Sequence, residues 1–93
     1  MTTALAIAPE PVEARLNLTL NGQNGDYPDQ IAYDLPDAEI RRIAEEGVRG
    51  GYVPGITADG SANFTDFVVD RFAPAEGVAF HRIVLRPKVP FGG

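Results

Sequence analysis

Two stretches in the first half of the chain alternate between apolar and polar residues. Residues 16–20 read Leu-Asn-Leu-Thr-Leu, and residues 31–35 read Ile-Ala-Tyr-Asp-Leu. A period of two is typical of a β-strand with one buried face. Between the two stretches, residues 21–29 contain two Asn-Gly steps, which favour tight turns with positive φ. The pattern therefore predicts a hairpin whose two strands are joined by a long, turn-rich loop.

A helix is predicted directly after this hairpin. Pro36 stands near its first position and acidic residues follow, as the helix dipole favours. Apolar residues then recur at helical spacing, and oppositely charged residues one turn apart cover the other side. The apolar stripe consists of Ile40, Ile43, Ala44 and Val48. The Gly50-Gly51 step ends the helix.

The second half of the chain predicts one or two strands and a final strand. Residues 52–56 favour a loop or an irregular edge strand, because Pro54 cannot donate a hydrogen bond to a neighbouring strand. Residues 64–72 fit a helical stripe or a strand, and the short length before Pro74 favours the strand. Residues 78–86 are apolar on both faces in their middle, which is typical of an interior strand.

This order of elements predicts an α+β fold of the type ββαβ(β), a sheet of four to five strands with one helix packed across it. A final strand buried on both faces would lie centrally and parallel to the first strand, an arrangement called the β-grasp. We expect a leader without structure at residues 1–13, a single domain at residues 14–86 and a flexible tail at residues 87–93.

Composition and charge narrow the classes of function. The chain has 93 residues, with 8 basic and 13 acidic side chains and a formal net charge of −5. This charge argues against nucleic acid as a partner unless the few arginines cluster. Without cysteine and with one histidine, the chain has no disulfide, no thiolate zinc site and no histidine-rich metal cluster. The apolar run at residues 4–8 is too short for a secretion signal, so we expect a cytoplasmic protein. We also expect a monomer that does not bind membranes.

Candidate catalytic groups are few. Ser61, His81 and either Asp66 or Asp70 supply the residue types of a hydrolase triad, but no nucleophile-elbow motif surrounds Ser61. We expect His81 to be a partly buried, hydrogen-bonded side chain. The oxygen-rich loop at residues 21–29 has no EF-hand spacing, and the chain has no phosphate-binding loop. We therefore expect a protein that is not an enzyme and holds neither metal nor cofactor.

The chain reaches Gly92-Gly93 through a short tail that contains two prolines and an aromatic residue, Phe91. In this ending and in its element order, it resembles the ubiquitin-like and sulfur-carrier β-grasp proteins. That family includes ubiquitin, the small subunit of molybdopterin synthase and the thiamine sulfur carrier, and the tail is most similar to the bacterial sulfur carriers. The resemblance covers the element order of residues 14–93 and residue identity at the last few positions.

The resemblance implies a ubiquitin-like modifier or sulfur carrier that an E1-like adenylating enzyme activates at Gly92 and Gly93 and passes to an acceptor protein. Glycine has no Cβ, so such a tail can enter a narrow channel. Seven extended residues span roughly 23 Å, enough to reach a partner's active site. Arg86, Lys88 and Phe91 would dock the tail on the partner.

The alternative is a small, non-enzymatic protein-binding module without conjugation chemistry. Its partner would use an exposed sheet edge or the loop at residues 52–56.

Overall fold

The computed structural model describes residues 12–88 of the chain. Within this part, five strands and one helix form an α+β fold, with the helix between the third and fourth strands. The elements are β1 (Glu13–Leu20), β2 (Gln23–Asp26), β3 (Ile31–Ala32), α1 (Asp37–Arg49), β4 (Val68–Phe72) and β5 (His81–Arg86).

The five strands form one mixed sheet in the order β2-β1-β5-β4, with β3 paired to the start of β1. β1 and β5 run parallel, with Leu16 opposite Ile83, and all other pairs are antiparallel. β5 therefore has a hydrogen-bonded strand on each side, which confirms the prediction that the final strand is central and parallel to the first. This topology is compatible with a β-grasp.

The predicted long hairpin loop is wrong, because part of it is a strand. The first Asn-Gly step makes a tight turn, with φ of 53° at Asn21 and 78° at Gly22. The chain then returns at once along β1 as β2, placing Asn24 opposite Thr19. The predicted second strand at residues 31–35 shortens to the two residues of β3. Two short strands thus share the edge of β1 where one longer strand was expected.

The predicted helix is confirmed over almost its whole length, and its apolar stripe faces the sheet. Ile40, Ala44 and Val48 are fully buried against Leu16, Ile83 and the other inward-facing strand residues. Pro36, directly before α1, has an extended backbone conformation, and the helix ends at Gly50. Within residues 12–88, α1 is too short and too polar to cross a lipid bilayer.

Charged residues of α1, which the helical pattern places on its solvent side, also hold the segment that follows the helix. Arg49 Nε donates to the carbonyl oxygen of Ala62 (2.9 Å), and Arg41 Nε donates to that of Phe67 (3.1 Å). Between them, the backbone N–H of Phe64 donates to a carboxylate oxygen of Glu45 (2.9 Å). These bonds fix the loop so that the Phe64 side chain is fully buried in the core.

The predicted strands in the last third of the chain are shorter than expected. Residues 64–67 form a turn, and strand structure begins at Val68. The prediction of a strand rather than a helix for residues 64–72 is therefore confirmed only for β4. β5 begins at His81, since Val78 forms only an isolated bridge to Ala75. The expectation that the final strand is buried on both faces is wrong: Ile83 and Leu85 are fully buried, whereas the residues of the opposite face are partly exposed.

Candidate functional site

The face of the sheet that points away from α1 carries the most unusual chemistry of the described chain. We call it the open sheet face. Because alternate strand residues point to opposite faces, the buried leucines of β1 place Arg15 and Asn17 on this face, and β5 adds Arg82 and Val84. The parallel register sets Arg15 opposite Arg82 and Asn17 opposite Val84.

The open sheet face therefore holds two arginines side by side. Each guanidinium lies over an aromatic ring: Arg15 is 3.8 Å from the ring centre of Phe80, and Arg82 is 5.0 Å from that of Phe72. Cation–π contacts of this kind are worth about 0.5–1 kcal/mol at exposed sites. They hold the charges in place, yet like charges directly opposite each other destabilise a sheet.

Neither of these arginines has a carboxylate within ion-pair distance among residues 12–88, although acidic residues outnumber basic ones. Arg82 also has an unsatisfied hydrogen-bond donor, because its Nε atom is buried and meets no acceptor in the described chain. Leaving a buried donor unsatisfied costs about 1–3 kcal/mol. Arg82 is thus held in a position that its own surroundings do not fully stabilise.

A pocket of about 510 Å³ opens beside the two arginines. Its floor is the surface of β1 and β5, and the chain between β2 and β3 forms one wall. The lining residues are Arg15, Asn17, Asp26, Tyr27, Pro28, Asp29, Gln30, Phe80, Arg82 and Val84. The pocket thus combines two arginines, two aspartates and the aromatic ring of Phe80 in a volume suited to a small ligand or a few residues of a peptide.

Asn17 orders the wall of this pocket. Its Nδ2 donates to a carboxylate oxygen of Asp26 (2.8 Å) and to the side-chain oxygen of Asn24 (2.9 Å). The amide of Asn24 donates in return to Asn17 (2.8 Å) and to the hydroxyl of Thr19 (2.9 Å). Asn24 and Asp26 were predicted to lie in a turn-rich loop, but they belong to β2 and their side chains form hydrogen bonds with those of β1. No group of metal-ligating side chains forms among residues 12–88.

The residues predicted to act in conjugation lie at the end of β5 and beyond it. Arg86 Nε donates to a carboxylate oxygen of Asp70 (2.8 Å) on β4, so its charge is paired within the sheet. Lys88 is exposed. Phe91, Gly92 and Gly93 lie outside the described residues. The structure therefore gives geometry for the base of the predicted tail only.

The candidate hydrolase residues are held by different neighbours. The Ser61 hydroxyl and backbone N–H both donate to Asp59 (2.6 and 2.9 Å), which lowers the pKa of that carboxyl below its ordinary 3.8. The His81 ring packs edge-on against Tyr33, with 4.5 Å between ring centres. Asp70 is paired with Arg86. None of the hydrogen bonds among residues 12–88 links Ser61 to His81 or to either aspartate.

Sequence reasoning missed the Arg15–Arg82 pair. Arg15 follows the acidic start of β1, and Arg82 lies inside an apolar run, so neither has a local motif. The signal in the sequence was only indirect: if the first and last strands pair in parallel, each outward-facing residue of one strand lies opposite an outward-facing residue of the other. The register that selects these two is known only from the folded sheet.

Comparison with known proteins identifies no relative: no family model, curated protein or solved structure matches this chain. The arguments for function below come from the residues and their geometry.

Proposed function

We propose that this protein is a ubiquitin-like modifier or sulfur carrier with a β-grasp fold, activated at Gly92 and Gly93 by an E1-like adenylating enzyme. In this proposal it is the group that is carried, with no catalytic residue or cofactor of its own. Its partners are the adenylating enzyme and a downstream acceptor protein.

The observation that supports the proposal is the position of β5. A strand in the middle of the sheet, parallel to β1 and beneath the helix, ends at Arg86, six residues before Gly92 in the sequence. Hydrogen bonds to β1 and β4 hold it on both sides, and Ile83 and Leu85 bury its inner face. A terminal segment that leaves such a strand can be drawn into a partner's active site while the domain stays folded.

The chemistry follows from the weak reactivity of a carboxylate toward nucleophiles. The Gly93 carboxylate would attack the α-phosphorus of ATP and release pyrophosphate, giving an acyl-adenylate. A thiolate, amine or sulfide then attacks the acyl carbon, and AMP leaves. The chain contains one lysine, Lys88. Chains linked through lysine would have to use this residue, so long polymers of the ubiquitin type are not expected.

The test is to recover the tagged full chain from its source organism under denaturing conditions and analyse it by mass spectrometry. Peptide mapping first identifies the carboxyl-terminal residue of the mature chain. We expect a fraction of Gly93 in a thiocarboxylate, thioester or isopeptide bond, with the isopeptide lost in a variant lacking Gly92 and Gly93. Gly60→Ala is the matched control, because Gly60 has open space around it.

A free Gly93 carboxylate in every growth condition would overturn the proposal. The second candidate is then the protein-binding module, which the pocket on the open sheet face favours. A module of that kind would keep its partner when the two terminal glycines are deleted.

A further inference from the structure

We propose that the pocket on the open sheet face binds an acidic segment of a partner protein, with a carboxylate seated between Arg15 and Arg82. This inference does not depend on the diglycine and holds for either candidate function.

The first argument is the distribution of charge. Four arginines have a carboxylate within 4 Å: Arg42 contacts Glu39 and Glu46, Arg49 contacts Glu45, Arg71 contacts Asp37, and Arg86 contacts Asp70. Arg41 has none among residues 12–88, and its Nε donates to the carbonyl oxygen of Phe67. Arg15 and Arg82 are instead neighbours of each other, over aromatic rings. Two arginines opposite each other on neighbouring strands, without a carboxylate partner among residues 12–88, are complementary to an added carboxylate that their long side chains could reach from both strands.

The second argument is the hydrogen-bonding deficit of Arg82. Its buried Nε has no acceptor among residues 12–88. A carboxylate that binds a guanidinium side-on uses Nε together with one terminal nitrogen. A small movement of the side chain toward the pocket would let a bound carboxylate satisfy this donor and offset the repulsion from Arg15.

Two aspartates in the wall of the pocket limit the kind of anion that can bind. Asp26 and Asp29 line the pocket, and Asn17 holds Asp26 in place. A polyanion such as RNA would bring several phosphates toward these carboxylates and toward a chain of net charge −5. A peptide can instead place one carboxylate on the arginines, direct backbone N–H groups at the aspartates, and pack an apolar side chain against Phe80. These features favour an acidic peptide.

The experiment is an NMR titration of the ¹⁵N-labelled full chain, including the arginine Nε–H signals. The probe is an acetylated, amidated peptide of sequence Gly-Phe-Glu-Gly-Gly, which brings one carboxylate and one apolar side chain, and the matched peptide replaces its glutamate with glutamine. We expect saturable shifts at Arg15, Asn17, Val84 and the Arg82 Nε–H with the acidic peptide, and at least tenfold weaker binding of the glutamine peptide.

Three variants distinguish binding at the arginine pair from general electrostatic attraction to the protein. Arg15→Gln and Arg82→Gln each remove one positive charge from the pair, and Arg42→Gln removes one from the exposed face of α1. We expect at least tenfold weaker binding for the first two and less than a twofold change for the third. Arg15 is exposed, so Arg15→Gln should fold normally, and thermal melts verify this for each variant.

Three outcomes would overturn the inference. The first is no saturable shift with the acidic peptide at millimolar concentration. The second is equal weakening by Arg42→Gln, which would show general electrostatic attraction. The third is tighter, Arg15-dependent binding of a single-stranded RNA oligonucleotide, which would assign the pair to nucleic acid.

Discussion

Gly25 in β2 and Pro54 in the segment after α1 meet with no room for a side chain between them. A Cβ at position 25 would overlap the carbonyl oxygen of Pro54 and press on the side chains of Val53 and Ile56. Both of those side chains are buried. The second Asn-Gly step of the sequence therefore serves close packing, whereas the first one makes the turn.

Replacing Gly25 tests this contact. Gly25→Ala should lower the free energy of unfolding by about 1–3 kcal/mol, because a backbone oxygen cannot move aside as a flexible side chain can. Urea denaturation followed by circular dichroism measures the change. Gly60→Ala, where nothing lies within 4 Å, should leave stability within about 0.5 kcal/mol. Equal effects of the two substitutions would refute the close approach.

The buried ring of Phe64 gives a second prediction. It is fully buried and meets Phe67 edge-on, with 4.7 Å between ring centres. Phe64→Ala should cost about 3–5 kcal/mol, since it removes apolar contact and leaves a cavity. Phe72→Ala should cost much less, because that side chain is 41% exposed. Chemical denaturation of both variants checks the order, and a larger loss at Phe72 would contradict the assignment of the core.

Arg71 connects the edge strand to the start of the helix. Its Nε donates to the carbonyl oxygen of Tyr33 (3.1 Å), one terminal nitrogen donates to Asp37 (2.7 Å), and the other donates to the carbonyl oxygen of Leu35. Lysine keeps the charge but cannot make this three-way contact. Arg71→Lys should therefore lower stability by about 1–3 kcal/mol.

Arg42→Lys is the matched control for that substitution. Arg42 pairs with two glutamates on the exposed side of α1, where ion pairs contribute at most about 1 kcal/mol. Thermal unfolding of both variants gives the comparison. If Arg42→Lys lowers the melting temperature as much as Arg71→Lys, the three-way contact does not stabilise the fold.

The Asp59–Ser61 turn gives a prediction about pH. Two hydrogen bonds from Ser61 lower the pKa of Asp59, so this stabilisation is present above the ordinary carboxyl pKa and is lost as pH falls through the lowered value. Ser61→Ala removes the hydroxyl donor and keeps the backbone one. The pKa of Asp59 should rise part of the way toward 3.8, as measured by carboxyl ¹³C titration. An unchanged pKa would show that the hydroxyl bond is absent in solution.

The elements with strong local patterns could be predicted from the sequence. The stripe from Ile40 to Val48 is set by residues on neighbouring turns of one helix, so its buried face needs no knowledge of the rest of the chain. The alternation of Leu16, Leu18 and Leu20 defines the inner face of β1 in the same way. β2 could not be predicted, because Gln, Asn, Gly and Asp are all weak strand formers. It forms a strand because its backbone pairs with the edge of β1 and because Pro54 packs against Gly25.

By itself, the sequence determined which residues of each long element face inward, because periodicity is a property of the local backbone. Only the tertiary structure decided which positions stand opposite each other. Arg15 and Arg82 have unremarkable local surroundings and lie far apart along the chain. The parallel register of β1 and β5 makes them neighbours, since the core side chains on the other face can interlock in one alignment of the two strands.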